Sequence, residues 1–393
     1  MPATALKNEY WPNNSFTDNN LKCSSSAVAN FFTSWQQSYK RSQTVQTLAS
    51  LAIGTLGGAI ASYFNLPLAW LLGAMISTLL VSFSGGTLFV PIWLRSTMIA
   101  VLGVLIGAAF TPEIFADLSV WWLSVVVILL FVALVSTFTF IYLRYVAGFD
   151  VPTAFFSSPP GGMIEMAIIG QTFGGDVRLI SLVHAIRVAL VVGVVPFLVA
   201  NMDGVDQVQA GFIGMVGPEP LLPLDGFILI FCGAIGWWLA TYLRFPAPFL
   251  VGPILLSVIA HFAGLSRAAP PQEIVAAAQV IIGVSIGSRF SGLTMAGFGK
   301  VAVIAIGSAI LMVAAAVFTG WSLAAAMGLN DVELILALAP GGVAEMSLVA
   351  LSIGIGTAFI SAMHIIRIAA IIAVMPFIFR FMNDSNGDRE DDP

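Results

Sequence analysis

The chain has 393 residues, of which 59% are hydrophobic and 9% charged, and it carries a formal net charge of −5. Soluble domains carry about 25% charged residues, so a water-facing exterior is excluded; the small acidic balance also excludes a nucleic-acid binder held by phosphate contacts. A mean hydropathy of +0.98 makes this a polytopic membrane protein with the lipid bilayer as its solvent.

Residues 1–43 are rich in Asn, Ser, Thr and Gln and read as a polar, flexible tail rather than a signal peptide. A short interfacial helix is expected around 31–39, and the tail ends in Lys40-Arg41. Apolar segments approaching the ~20 residues that span a bilayer then follow. Over 44–200 they run at 44–64, 67–83, 96–112, 118–143, 153–173 and 179–200. An acidic linker, 201–223, carries Asp203, Asp206 and Glu219 without Lys or Arg. Over 224–380 the segments run at 224–243, 247–264, 274–291, 301–327, 333–353 and 357–379, before an acidic tail at 381–393.

The two membrane regions repeat one another. Pro160-Gly161-Gly162, Glu165, Met166, Ser181, His184, Arg187 and Pro196-Phe197 recur as Pro340-Gly341-Gly342, Glu345, Met346, Ser361, His364, Arg367 and Pro376-Phe377. From Pro160 to Phe197, 15 of 38 positions are identical at an offset of 180. Gly103 and Gly107 are answered by Gly283 and Gly287, and both Gly-x-x-x-Gly pairs read as close helix packing.

The charges indicate how the repeats are oriented. With Lys40-Arg41 cytoplasmic, Arg95 and Arg144 fall on cytoplasmic loops and Glu113 and Asp117 outside. Arg244, Arg289 and Lys300 sit one loop out of phase with Arg95 and Arg144, so they are cytoplasmic only if the first half crosses an odd number of times. Arg267 dissents. The segment that fails to cross is the one carrying Pro-Gly-Gly, because irregular backbone survives at membrane depth only where it lines a cavity. The expected fold is an all-α polytopic transmembrane bundle of two inverted repeats, each with a broken or re-entrant helix; twelve straight helices in parallel repeats are the competing topology.

A glutamate, a histidine and an arginine inside apolar segments are costly and usually functional. Ser181, His184 and Arg187 share one helix face, as do Ser361, His364 and Arg367. Glu165 and Glu345 fall in the first turn after each Gly-Gly, where a helix N-terminus favours a carboxylate. Broken helices with their N-termini at mid-membrane hold substrates and coupling ions in secondary transporters. The competing reading makes Glu165–Arg187 and Glu345–Arg367 structural ion pairs, with the histidines as packing residues. Cys23 and Cys232 form no disulfide framework, and three histidines give no metal-ligand spacing, so no cofactor or metal is expected. His261 and the tryptophans Trp70, Trp93, Trp121, Trp122, Trp237, Trp238 and Trp321 read as interfacial.

The doubled Pro-Gly-Gly-x-x-Glu-Met, followed by His-x-x-Arg and Pro-Phe, resembles the bacterial AbrB family of duplicated membrane proteins over 44–380. Members of that family carry names as AbrB family transcriptional regulators or as ammonia monooxygenases. The residues favour instead an ion- or proton-coupled secondary transporter of the bacterial inner membrane, with its N-terminus cytoplasmic. Its one site would take a small, anionic substrate between the repeats. Glu165 and Glu345 are expected to carry protons or cations, Arg187 and Arg367 to hold substrate or tune them, and His184 and His364 to assist. A membrane regulator of gene expression and an intramembrane monooxygenase are the alternatives; a homo-oligomer is compatible with all three.

Overall fold

In the computed structural model, described over residues 25–110, 118–202, 222–291 and 295–387, every regular element is helical. The expected loop charges Glu113 and Asp117, and the acidic linker residues Asp203, Asp206 and Glu219, lie outside the described residues. The first half contains α1 (Ser25–Tyr63), α2 (Ala69–Phe83), α3 (Ile92–Ala108), α4 (Leu118–Ile141), α5 (Val151–Ser157), α6 (Met163–Thr172) and α7 (Val177–Ala200). The second contains α8 (Pro223–Tyr242), α9 (Pro248–Phe262), α10 (Gln272–Gly287), α11 (Met295–Met327), α12 (Asp331–Leu338), α13 (Val343–Ile353) and α14 (Thr357–Gly387). Among the described residues, seven helices are long and apolar enough to cross a membrane, and α2, α3, α9 and α13 are shorter apolar helices. The separate interfacial helix expected around 31–39 is instead continuous with α1.

The chain stops and restarts where its local chemistry says it should. Asp150 caps α5 by accepting from the Thr153 N–H at 3.0 Å, Asp176 caps α7, and Asn330 caps α12. The loop from α1 to α2 holds Asn65 and Leu68 at positive φ; the loop from α8 to α9 does the same at Arg244 and Ala247. Those pairs are 179 residues apart. Trp93, Trp122, Trp238 and Trp321 are exposed, while Trp70, Trp121 and Trp237 are half-buried. His261 is half-buried at the end of α9, its Nε2 3.0 Å from the Ala268 carbonyl.

Glycines set the packing. A methyl on Gly57 would strike the Gly73 carbonyl and one on Gly73 the Gly57 carbonyl, so α1 and α2 touch backbone to backbone. Gly236 and Gly252 join α8 to α9 in the same reciprocal way. The Gly-x-x-x-Gly pairs then join the two halves: Gly103 and Gly107 of α3 lie against Leu250, Pro253 and Ile254 of α9. Gly283 and Gly287 of α10 lie against Leu71, Met75 and Thr78 of α2.

These contacts also give direction. The Leu88 N–H donates to Ser291 Oγ and Ser82 Oγ donates to the Gly287 carbonyl, each at 3.1 Å, so the loop between α2 and α3 lies beside the end of α10. At the other end, Ser257 Oγ donates to the Val104 carbonyl at 2.8 Å. There Arg267 and Ala269, from the loop between α9 and α10, line one cavity with Ala108 and Ala109 at the end of α3. Helices α3 and α10 therefore run in opposite directions.

The segments α5–α6 and α12–α13 fold back on themselves. The Asp176 N–H, just past α6, donates to Thr153 Oγ1 in the first turn of α5 at 2.8 Å. Past α13, Gly356 packs on the Glu333 carboxylate of α12, whose Oε1 would lie 2.6 Å from an added methyl. At 1.5 Å per residue, arms of 7 to 11 residues reach about 10–16 Å, close to half the thickness of a bilayer core at most. Each is a short helical hairpin with Pro-Gly-Gly at its tip, and one apolar core joins both (Phe156, Met166, Leu336) to α3, α10 and α14 through Leu102, Ile282 and Ile360.

Candidate functional site

Each hairpin tip is built by a helix end, a proline and two glycines. After α5 the Gly161 N–H donates to the Pro159 carbonyl at 2.9 Å, and Gly162 takes a left-handed φ of 59° before α6 begins. After α12, Ala339 is extended with ψ 135°, as a residue before proline prefers. Gly342 is extended too, at φ −82° and ψ 156°. The tips are thus alike in sequence and different in backbone.

Carbonyls at both breaks accept from the two signature arginines. Arg187 Nη1 donates to the Pro159 carbonyl at 2.7 Å, and Arg367 Nη1 donates to the Ala339 carbonyl at 2.7 Å. Arg367 Nη2 also donates to the Gly341 carbonyl at 3.0 Å. Helix C-termini carry unpaired carbonyls and the negative end of the macrodipole, so a buried guanidinium belongs there. This corrects the ion-pair reading: neither arginine is joined to Glu165 or Glu345, and the hydrogen bonds that each makes go to backbone carbonyls at the tips. It also leaves both poorly placed to clasp a substrate directly, Arg187 being 2% exposed and Arg367 0%.

The histidines lie one turn earlier, equally buried. His184 Nε2 is 3.0 Å from the Phe156 carbonyl, and His364 Nδ1 is 2.9 Å from the Ile360 carbonyl. The second nitrogen of each ring, His184 Nδ1 and His364 Nε2, is buried without a partner, as are Nε of Arg187 and of Arg367. Ser361 Oγ donates to the Thr357 carbonyl at 2.6 Å and bonds Ser347 at 2.8 Å, whereas Ser181 is only half-buried.

The carboxylates occupy the other side of each tip. Neither Gly162 nor Gly342 supplies a side-chain cap, and each glutamate folds back over its own helix start. Glu165 Oε2 would lie 3.6 Å from a methyl on Gly162, and Glu345 would collide with one on Gly342. The N-terminal partial charge of α6 and α13 favours this pose. Glu345 is 7% exposed and Glu165 half-buried.

The structure brings two further arginines to this place. Arg95 lies in the first turn of α3, and Arg289 lies in the 3₁₀ turn Ser288–Phe290 that follows α10. Both are within electrostatic reach of Glu345 and of one another. Arg289 Nη1 donates to Met163 Sδ, at the start of α6, at 3.1 Å, and Arg95 Nε is buried without a partner. The sequence pattern had assigned both to loops. The signal that could have found them is that Arg289 falls inside the apolar segment 274–291.

The two tips meet. Ile368 and Ile371 of α14 lie against Gly161, next to the arginine that holds Gly341, and Arg187 and Arg367 act on each other's charge. Arg95 and Arg289 thus lie within electrostatic reach of Glu345, while Arg187 and Arg367 form a separate pair of buried cations behind the tips. Where α12 begins and α13 ends, a cavity of about 710 Å³ opens between Glu333, Arg267, Trp121, Gly356 and Ala109. Among the described residues, no three of His, Cys, Asp and Glu are grouped as metal ligands would be.

Comparison with known proteins gives the same assignment at both levels. The chain is 26% identical over 379 residues to "Uncharacterized protein YhjN" of Bacillus subtilis (strain 168), covering 90% of this chain and 97% of that one. It is 28% identical over 326 residues to "Putative regulator AbrB" of Escherichia coli (strain K12), covering 81% of this chain and 91% of the relative. The family described as "Transition state regulatory protein AbrB" matches residues 70–383. This polytopic helical membrane protein belongs to the AbrB family.

Proposed function

We propose that this protein is an ion- or proton-coupled secondary transporter of the bacterial inner membrane, with a small anion as its substrate. Two inverted repeats would enclose one site where the re-entrant hairpins meet. The observation that carries the reading is the excess of cationic side chains around the hairpin tips, with Arg95 and Arg289 in electrostatic reach of one carboxylate, Glu345, and Arg187 and Arg367 buried on the tip carbonyls. Uncompensated charge is costly in such a place, and an anionic ligand would neutralise it. Support for inversion comes from the opposite directions of α3 and α10, which occupy matching places in the two repeats. The matching left-handed residues in the loops from α1 to α2 and from α8 to α9 support the repeat itself.

In this reading Glu165 and Glu345 carry the coupling proton or cation. Arg187 and Arg367 hold the tips in shape, and His184 and His364 assist proton movement through their unpartnered ring nitrogens. The N-terminus is cytoplasmic, and homo-oligomerisation is compatible with the lipid-facing surface. The regulator named among the relatives is the second reading, and no feature of the site favours it over transport.

A thermal-shift series on the purified protein in detergent tests the reading. Potassium salts of acetate, succinate, phosphate and sulfate are compared with potassium chloride at equal ionic strength, and with neutral acetamide and glucose. At least one oxyanion should raise the melting temperature while the neutral compounds do not. Equal melting temperatures throughout would sink the anion-transport reading.

A further inference from the structure

The cavity at the base of the second hairpin holds two opposite charges that do not pair. Its volume is about 710 Å³, in the range of small-molecule sites. Arg267, exposed, lines it from the loop between α9 and α10; Glu333, half-buried, lines it from the first turn of α12. Among the described residues neither is in an ion pair, with the other or with a third group. Much of the remaining wall is apolar. Trp121 of α4 meets Phe359 of α14 edge to face, with 5.5 Å between ring centres, and Leu105, Leu351 and Ile355 lie around them.

The first repeat shows what closes such a place. At the offset of 180, Glu333 and Gly356 are the counterparts of Thr153 and Asp176. There the Asp176 N–H donates to Thr153 Oγ1 at 2.8 Å, and the Asp176 carboxylate accepts from the Arg178 and Leu179 N–H groups at 2.8 and 3.2 Å. In the second repeat glycine stands in place of that aspartate, and Ala358 and Phe359, the counterparts of Arg178 and Leu179, line the cavity. The carboxylate has moved to the other arm of the hairpin, with Glu333 Oε1 2.6 Å from where a methyl on Gly356 would lie. A carboxylate arriving from outside finds Arg267 in the same cavity, and a cation on a short link to it finds Glu333.

We propose that this cavity binds a zwitterionic α-amino acid with an apolar side chain. Its carboxylate sits on Arg267, its ammonium on Glu333 and its side chain against Trp121 and Phe359. A guanidinium takes a carboxylate through two parallel hydrogen bonds, and an ammonium gains from a carboxylate and from aromatic faces together. Glu333 repels a ligand that is only anionic and Arg267 one that is only cationic, so the pair selects both charges on one molecule. The eight residues of α12, about 12 Å, separate this site from the Pro-Gly-Gly tip, and it stands whatever the tips carry. A bound amino acid ties the second hairpin to the loop between α9 and α10.

The test is titration calorimetry on the purified full-length chain in detergent, with L-leucine and L-phenylalanine as probes. At least one should bind. Its N-acetyl form, which lacks the ammonium, and its amide, which lacks the carboxylate, should each bind ~10-fold or more weakly. Arg267→Gln and Glu333→Gln should each weaken the free amino acid ~10-fold or more, and in a crossed pattern. Arg267→Gln removes the preference for the acid over the amide, and Glu333→Gln removes the preference for the free amine over the N-acetyl form. A variant that has only lost shape weakens all three forms alike. The exposed Arg178→Gln should change nothing. If Glu333→Gln does not purify folded, Arg267→Gln, at an exposed side chain, carries the test. Binding of neither amino acid, equal binding of all three forms, wild-type affinity in either variant, or a loss without the matching change of preference overturns the site. Each of these outcomes leaves the transport reading standing, because the oxyanion series decides that one.

Discussion

The pair Arg187 and Arg367 shows how one residue type can serve equivalent places unequally. Arg187 makes one bond to the tip carbonyls at 2.7 Å; Arg367 makes two of 3.0 Å or less, from different nitrogens to different residues. A lysine ammonium can replace a single point contact but not a fork. Arg187→Lys should therefore retain most of the wild-type melting temperature, and Arg367→Lys should leave a buried carbonyl unpaired, at about 1–3 kcal/mol. Scanning calorimetry or dye-based melting of the two variants in detergent checks this, and equal losses would show the second bond to be idle. The i, i+3, i+6 spacing made it legible in advance that these residues share a helix face. Their acceptors were not legible, because a guanidinium with a carboxylate and an open helix end both nearby is decided by distance, which sequence does not encode. Arg95 was hidden differently: α3 begins at Ile92 behind Pro91, so a residue counted with the loop sits in the helix's first turn.

At the scale of elements, the glycine contacts decide which helices are neighbours. Gly236 and Gly252 bring α8 and α9 together so closely that a methyl on Gly252 would meet the Gly236 carbonyl. Gly193 in α7 faces only Met75 Cε, 3.7 Å from an added methyl. Gly252→Ala should cost about 1–3 kcal/mol through forced separation of the hairpin. Gly193→Ala should be neutral or stabilising by roughly 0.5–1 kcal/mol, since alanine is the better helix former. Melting temperatures of the two variants, measured side by side, test the contrast; a neutral Gly252→Ala would mean that α8 and α9 slide freely. The apolar segments lie where the helices do, because length and hydropathy are properties of a stretch of chain. The hairpins were foreshadowed by Pro-Gly-Gly, but their return depends on bonds such as Asp176 to Thr153, between residues with no pattern in common.

For the whole molecule, the direction of α3 against α10 puts the loop after α2 and the loop after α9 at opposite ends of the bundle. Single cysteines replacing the exposed Ser84 and Leu265, in a background lacking Cys23 and Cys232, should therefore label from opposite faces with a membrane-impermeant maleimide. Labelling from one face would return the parallel twelve-helix arrangement. The out-of-phase charges had suggested as much, with Arg267 as the exception. Arg267 lines the same cavity as Glu333. The difference between the tips bears on the whole in another way. Gly162 is left-handed and Gly342 extended, so one motif is held in two shapes at once. The Pro-Gly-Gly run therefore does not dictate its own backbone: what each tip packs against, Ile368 and Ile371 of α14 at Gly161 and the Met346 side chain at Gly341, decides which of the two shapes it holds.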